Sequence, residues 1–183
     1  MIYLTADQHF SHANIIRFCN RPFNDVHSMN KHITESWNKI VQPDDEIYVL
    51  GDVTFKLTKR GVRHVFSLLN GKKYVIKGNH DRSDYLNNLQ NAKMIEWWKY
   101  THDISYEHNG KTYDFSLSHY PHYPLKNDNI ICLHGHVHGI YEHNGEYFHS
   151  PGVLDVGVDN VGYEPISIVT IIEFMERQKN AKK

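Results

Sequence analysis

Short apolar runs that stop at a metal-binding type of side chain recur along this chain, and no other feature restricts its fold as much. Ile2–Thr5 leads into Asp7 and His9, Ile47–Leu50 into Gly51-Asp52, and Tyr74–Ile76 into Gly78-Asn79-His80-Asp81. Lys111–Leu117 leads into His119, and Ile130–Leu133 into His134, His136 and His138 of the stretch LHGHVHG. Helical patterns follow the first three runs. They cover His12–Cys19, His27–Val41 with Met29, Ile33, Trp37 and Ile40 at helical spacing, Thr58–Leu69 closing near Asn70-Gly71, and Asp81–Gln90. Strand–helix alternation of this kind predicts an α/β domain with a mixed sheet or two packed sheets, covered by helices.

The second half is richer in hairpins. Trp97–Glu107 and Lys111–Leu117 flank His108-Asn109-Gly110, and Asn-Gly is the strongest short hairpin signal. Tyr141–His149 repeats the pattern around Asn144-Gly145, after a loop holding Pro121 and Pro124. Asp155–Val158 reads as a last strand, and Ser167 caps an apolar helix over Ile168–Gln178. A chain of 183 residues is expected to form one domain spanning 1–183.

Composition narrows the function classes without naming one. No apolar run reaches the roughly 20 residues that span a bilayer, and MIYLTADQHF carries no basic, cleavable leader. A cytoplasmic protein with no membrane partner is expected. Cys19 and Cys132 lack metal-type spacing and read as buried, reduced thiols. A net charge of -1 predicts that long nucleic acid is not the substrate. Neither a G-x-S-x-G elbow nor a G-x-x-x-x-G-K-[ST] loop is present, which removes the serine-hydrolase and P-loop classes.

The polar residues therefore sit at the carboxyl ends of strands, where open α/β sheets bind ligands. Residues two apart on an extended segment project to one side. By that rule Asp7 and His9 grip one ion together, while His136 and His138 reach two neighbouring ions. Asp52 is placed to bridge such a pair. Gly51, Gly78, Gly135 and Gly139 let backbone pass closely beneath the site. Mixed nitrogen and oxygen ligation suits Mn, Fe, Zn, Ni or Co better than Ca or Mg.

The ordered set Asp7-x-His9, Gly51-Asp52, Gly78-Asn79-His80-Asp81, His119 and Gly135-His136-x-His138 resembles the calcineurin-like metallophosphoesterases. Residues 10–23, FSHANIIRFCNRPF, are similar to a small bacterial and phage branch of that superfamily. The resemblance implies two mixed β-sheets sandwiched between helices in a four-layer αββα arrangement. It implies two divalent transition-metal ions, with manganese favoured over Fe, Zn, Ni or Co. Asp7, His9, Asp52 and His138 would hold the first, and Asp52, Asn79, His119 and His136 the second. His80 would lie over the substrate phosphate, with Asp81 as its partner.

Two ions sharing a water lower its pKa towards about 7 and supply the attacking hydroxide. A small phosphodiester, a nucleotide or cyclic nucleotide foremost, is the expected substrate, and the short stretch after Gly139 suggests an open site with no large capping domain. The rivals are a phosphomonoesterase or protein phosphatase, a metal-binding scaffold without catalysis, and a structural zinc site, which the lack of clustered cysteines disfavours. Asn14, Arg17 and Arg21 are candidate substrate contacts; the two arginines are four apart and share a face if the helix persists. His134 reads as structural, and His122 as able to lie over the site. His27, His32 and His64 read as helix-surface residues, and His102, His108, His143 and His149 as exposed in hairpins. Trp97, Trp98 and Tyr100 read as core rather than as a base-stacking platform.

Overall fold

Each strand of the first sheet carries apolar side chains on both faces, so the sheet has to be covered on both. In the computed structural model, which describes residues 1–122, 130–139, 148–150 and 152–181, this happens. Parallel strands β1 (Ile2–Thr5), β2 (Glu46–Val49), β3 (Lys72–Ile76) and β4 (Trp97–Lys99) form the sheet. The second sheet contains β5 (Thr101–His108), β6 (Lys111–Ser118), β7 (Ile130–His134), β8 (Phe148–Ser150) and β9 (Val153–Asp155), in the order β5-β6-β7-β9-β8. β10 (Ile166–Ser167) joins the first sheet antiparallel to β1, so both sheets are mixed.

Alternation along the strands assigns each face. Leu4, Tyr48, Leu50 and Ile76 meet Phe115, Leu117, Leu133 and Leu154 between the sheets. Ile47, Val49 and Val75 point the other way, into a cluster with Ile15, Met29, Ile33, Trp37, Phe66 and Leu89. Those belong to α1 (Ala13–Phe18), α2 (Val26–Ile40), α3 (Lys59–Leu68) and α4 (Ser83–Asn91). α5 (Ile168–Ala181) packs Ile168, Ile171, Ile172 and Met175 into the cluster between the sheets. Its start is capped as the sequence predicts, Ser167 Oγ accepting from the Thr170 N–H at 3.0 Å.

Local differences from the sequence reading have physical causes. Trp97–Glu107 is not one strand: the chain changes sheets at exposed Tyr100, leaving β4 in one and β5 in the other. Trp97 and Trp98 pack against the two cores, whereas Tyr100 is exposed. Val153–Asp155, rather than Asp155–Val158, is the late strand, because Asp155 Oδ1 accepts from the Gly157 N–H at 2.7 Å and turns the chain. The Asn109-Gly110 hairpin forms as expected, both residues having positive φ. The predicted hairpin around Asn144-Gly145 and the loop at Pro124 lie outside the described residues. Cys132 is buried, but Cys19 is half-buried, and so are His102 and His108.

Candidate metal centre

Backbone hydrogen bonds between loops bring the strand ends together. The Asp7 and His9 N–H groups donate to Gly51 O and Asp52 O, each at 3.0 Å, joining the loops after β1 and β2. The Gly135 N–H donates to His119 O at 3.1 Å, joining the loops after β6 and β7, and the His136 N–H donates to the Asp7 side chain, Oδ2, at 2.7 Å, attaching the second sheet to the first. Four groups result whose ligand atoms lie within 4.8 Å of one another: three around the joined loops, Asp7–His9–His138, Asp52–His119–His136 and His9–Asp52–His80, and a fourth behind His138, Cys19–His138–Asp159. Asp52 Oδ2 lies 3.7 Å from His9 Nε2 and 3.5 Å from His119 Nε2, so it stands between the first two groups. Asn79 Oδ1 approaches His119 Nε2 at 2.9 Å.

The side chains pair up by a different geometry from the one expected. Asp7, His9, Asp52, His136 and His138 all have left-handed backbones, with φ between 50° and 73°. The chain is coiled at these points, not extended, so two-residue alternation does not explain why their side chains converge. Non-glycine residues rarely adopt this conformation, and such strain concentrates at functional sites. The glycines work as expected. A Cβ on Gly51 would stand 2.6 Å from His119 Nδ1, one on Gly78 would collide with Asp52, and one on Gly135 with Asp7.

The donor set fits a metal. Asp7 Oδ1 and His9 Nε2 are buried and have no hydrogen-bond partner among the described residues. Leaving such atoms unpaired is costly unless a ligand meets them. His119 donates from Nδ1 to Leu50 O at 2.8 Å, which leaves Nε2 as the lone-pair nitrogen. His138 Nδ1 lies 2.7 Å from Asp159 Oδ2, which likewise turns Nε2 into the ligating atom.

Electrostatics separates the ligands. Burial pushes the Asp7 carboxyl up to about 7, against the opposing pull of His138 and His119. Burial also tends to raise Asp52, but hydrogen bonding and charge from His119, with the His80 N–H, hold it near 2. Burial drives His9 down to about 2 and keeps it neutral. At His138 burial is outweighed by hydrogen bonds to Asp159 and Cys19 and by the charge of Asp7, which carry it to about 10.

Two site residues expected from sequence do other work. Arg21 is not a substrate clamp. The helix ends at Phe18, so Arg17 and Arg21 share no helix face. The Arg21 side chain is 0% exposed; it donates to both oxygens of Asp159 and to the Asp7 and Gln8 carbonyls. Asp81 does not partner His80. Its carboxylate accepts from the N–H groups of Asp52 (2.8 Å), Gly78 (2.9 Å) and Val53 (3.3 Å), fastening the loops after β2 and β3. Asn14 and Arg17 lie exposed on α1. His134 is buried and stands outside all four groups. His122 is held by Ser118 and Ser116, and does not join them either.

Sequence reasoning missed three neighbours of the centre. Asp159 backs His138 and holds Arg21, a contact across 138 positions that no local spacing reveals. His12 lies 3.3 Å from His9 and stacks on Phe55 at 3.6 Å. Tyr120, half-exposed, meets His136 edge-on at 4.5 Å.

Paired sheets with carboxylate and imidazole ligands at their joined strand ends define a metal-centred α/β hydrolase. The chain belongs to the calcineurin-like phosphoesterases, whose family model matches residues 2–161. It is 38% identical over 184 residues to an uncharacterized protein of Methanocaldococcus jannaschii, covering 97% of this chain and 93% of the other. The gene 66 protein of Mycobacterium phage L5 is 26% identical over 160 residues, covering 74% and 76%. A crystal structure of a protein of unknown function from Aquifex aeolicus has the same fold, with a TM-score of 0.66, 23% identity and coverage of 94% and 98%. The protein is thus a metal-dependent phosphoesterase whose substrates are phosphate esters. No helix among its described residues is long and apolar enough to cross a membrane.

Proposed function

We propose that the chain holds two divalent transition-metal ions, manganese foremost, and hydrolyses a phosphodiester in a small nucleotide-like substrate. One observation carries this: two ligand groups, Asp7–His9–His138 and Asp52–His119–His136, adjoin through Asp52. On this reading Asp7, His9, Asp52 and His138 hold one ion. Asp52, Asn79, His119 and His136 hold the other. Such ions, when bound, supply Lewis acidity and lower the pKa of a shared water towards about 7.

The chain's own residues set up the rest. Burial of Asp7, His9, Asp52 and His119 removes bulk water from beneath the reacting phosphate, which strengthens charge interactions there. Asp159 and the Leu50 carbonyl fix the tautomers of His138 and His119. His80 Nε2 lies 3.9 Å from Asp52 Oδ2 and the side chain is 36% exposed, so it faces both the centre and solvent. From there it donates a proton to the leaving oxygen, a contribution of about 10²–10⁴-fold. The same openness leaves room for a second ester substituent, which favours a diester over a monoester. Asn14 and Arg17, exposed on α1 just after buried His12, are the candidate substrate contacts. The 183 residues act as one domain, a view supported by α5 packing into the cluster between the sheets.

Hydrolysis of bis-p-nitrophenyl phosphate and p-nitrophenyl phosphate with added Mn²⁺ tests the proposal. Diester turnover lost in both Asp52→Asn and His80→Ala is the expected result. Turnover of the monoester alone would replace the diester reading, and no turnover with Mn, Fe, Zn, Ni or Co would overturn catalysis altogether.

A further inference from the structure

If His80 protonates the leaving oxygen, the group attached to that oxygen has to lie beside His80, where two cations, Lys56 and Arg82, stand. A cleft of about 50 Å³ opens at His80, lined by Thr54, Lys56, Arg82 and Tyr85 above an apolar floor that includes Val62 and Phe66; Asp81 also lines it, its carboxylate taken up by three backbone N–H groups. Lys56 is held with a left-handed backbone, φ 49°, and its ammonium lies 5.1 Å from the centroid of Phe55. Phe55 in turn meets His80 edge-on at 5.1 Å. The Arg82 guanidinium lies 4.6 Å from the centroid of Tyr85, and Lys59 lies 5.9 Å from the same ring.

Charge in this region departs from the chain's average. Lys56, Lys59, Arg60 and Arg63 follow one another with no acidic residue from 56 to 64, in a protein of net charge -1. All four are exposed. Asp84 pairs with Arg82 at 3.1 Å, but both side chains are more than half exposed, and such pairs contribute little and yield readily to a better anion. Cations over an apolar floor focus positive potential, and a guanidinium matches the geometry of phosphate oxygens.

We propose that this cleft is the leaving-group subsite and that it takes a second phosphate, so that the preferred substrate carries a further phosphate beside the scissile ester. The inference rests on the phosphoesterase reading above and extends it to the class of substrate. A small nucleotide with an additional phosphate and the next link of an oligonucleotide strand present the same chemistry.

The test compares a thymidine dinucleotide bearing no terminal phosphate with one phosphorylated at both ends, using manganese-loaded protein. The charged-to-uncharged ratio of kcat/KM is measured in wild type and in Lys56→Gln/Arg82→Gln. Binding of thymidine 3′,5′-bisphosphate to metal-free protein is followed by calorimetry in both. The ratio is expected to fall about ten-fold in the double variant, with a comparable loss of binding. A ratio and a binding constant within about two-fold of wild type would overturn the subsite. Failure of wild type to cleave either dinucleotide would count against the proposed phosphodiester substrate instead, and the binding measurement would then decide the subsite alone. A longer oligothymidylate cleaved faster than the phosphorylated dinucleotide assigns the site to a strand; equal rates assign it to a small nucleotide.

Discussion

Replacing Arg21 with methionine separates a structural clamp from a substrate contact. The guanidinium makes hydrogen bonds of 2.8 Å to each Asp159 oxygen, 2.8 Å to Asp7 O and 3.0 Å to Gln8 O, with side-chain exposures of 0% for Arg21 and 6% for Asp159. Methionine keeps much of the volume but takes the two-pronged guanidinium away from buried Asp159, leaving it the His138 contact alone. Removing one member of a buried pair costs about 3–5 kcal/mol. For a chain of this size each kcal/mol moves the midpoint by about 2–4 °C, so Tm of the metal-free protein should fall by about 6–20 °C. Circular dichroism melts at pH 7 measure this directly. Because Arg21 also pins the carbonyls of the loop carrying Asp7 and His9, manganese affinity should fall with it. A Tm within about 2 °C of wild type, combined with a raised KM, would refute the clamp and restore Arg21 as a substrate contact.

Three further outcomes follow from the same structure. Gly78→Ala forces a Cβ into Asp52 and should abolish tight manganese binding, whereas Gly110→Ala, with open space around it at φ +73°, should cost only about 1–2 kcal/mol in a denaturant titration. Asp81→Asn replaces an acceptor of three backbone N–H groups by a side chain with one acceptor atom; stability should drop by about 1–3 kcal/mol and kcat should fall through displaced Asp52, both checked on one preparation. Metal-free His138 keeps its proton up to about 10 and Asp7 keeps its own up to about 7, so both must release protons to ligate. Manganese affinity should therefore rise from pH 6 to pH 8, roughly in step with proton release measured by calorimetry in buffers of different ionisation heat; an affinity flat across that range would contradict the assignment.

The centre was legible in the sequence because its parts are local. Each metal-type residue follows an apolar run within a few positions, and a strand end is readable from that run alone. The strand at Ile47–Leu50 was legible for the same reason, whereas the division of Ile47 and Val49 from Tyr48 and Leu50 between the two cores is a result of the fold, since all four are apolar. What stayed hidden depends on distance along the chain. Nothing near Arg21 announces Asp159, and so an arginine placed after a metal motif looked like a phosphate ligand. Nothing near Asp81 announces that the N–H groups of Asp52 and Val53 will need its carboxylate. The crossing at Tyr100 was hidden because β-type residues continue through it, and only the end of pairing with β3 breaks the strand. The left-handed turns at Asp7, His9, His136 and His138 are the least readable feature, since they oppose the preference of the residues that adopt them.

Manganese bound per chain at saturation, measured by elemental analysis after equilibrium dialysis, tests the central claim most directly. The arrangement of Asp7, His9 and His138 beside Asp52, His119 and His136 predicts about two ions in wild type, as dinuclear hydrolases require, and about one or fewer in Asp52→Asn, which removes a charge from the ligand shared by both groups. A wild-type protein that saturates at a single ion, or an Asp52→Asn variant that still holds a pair, would contradict a centre built around Asp52.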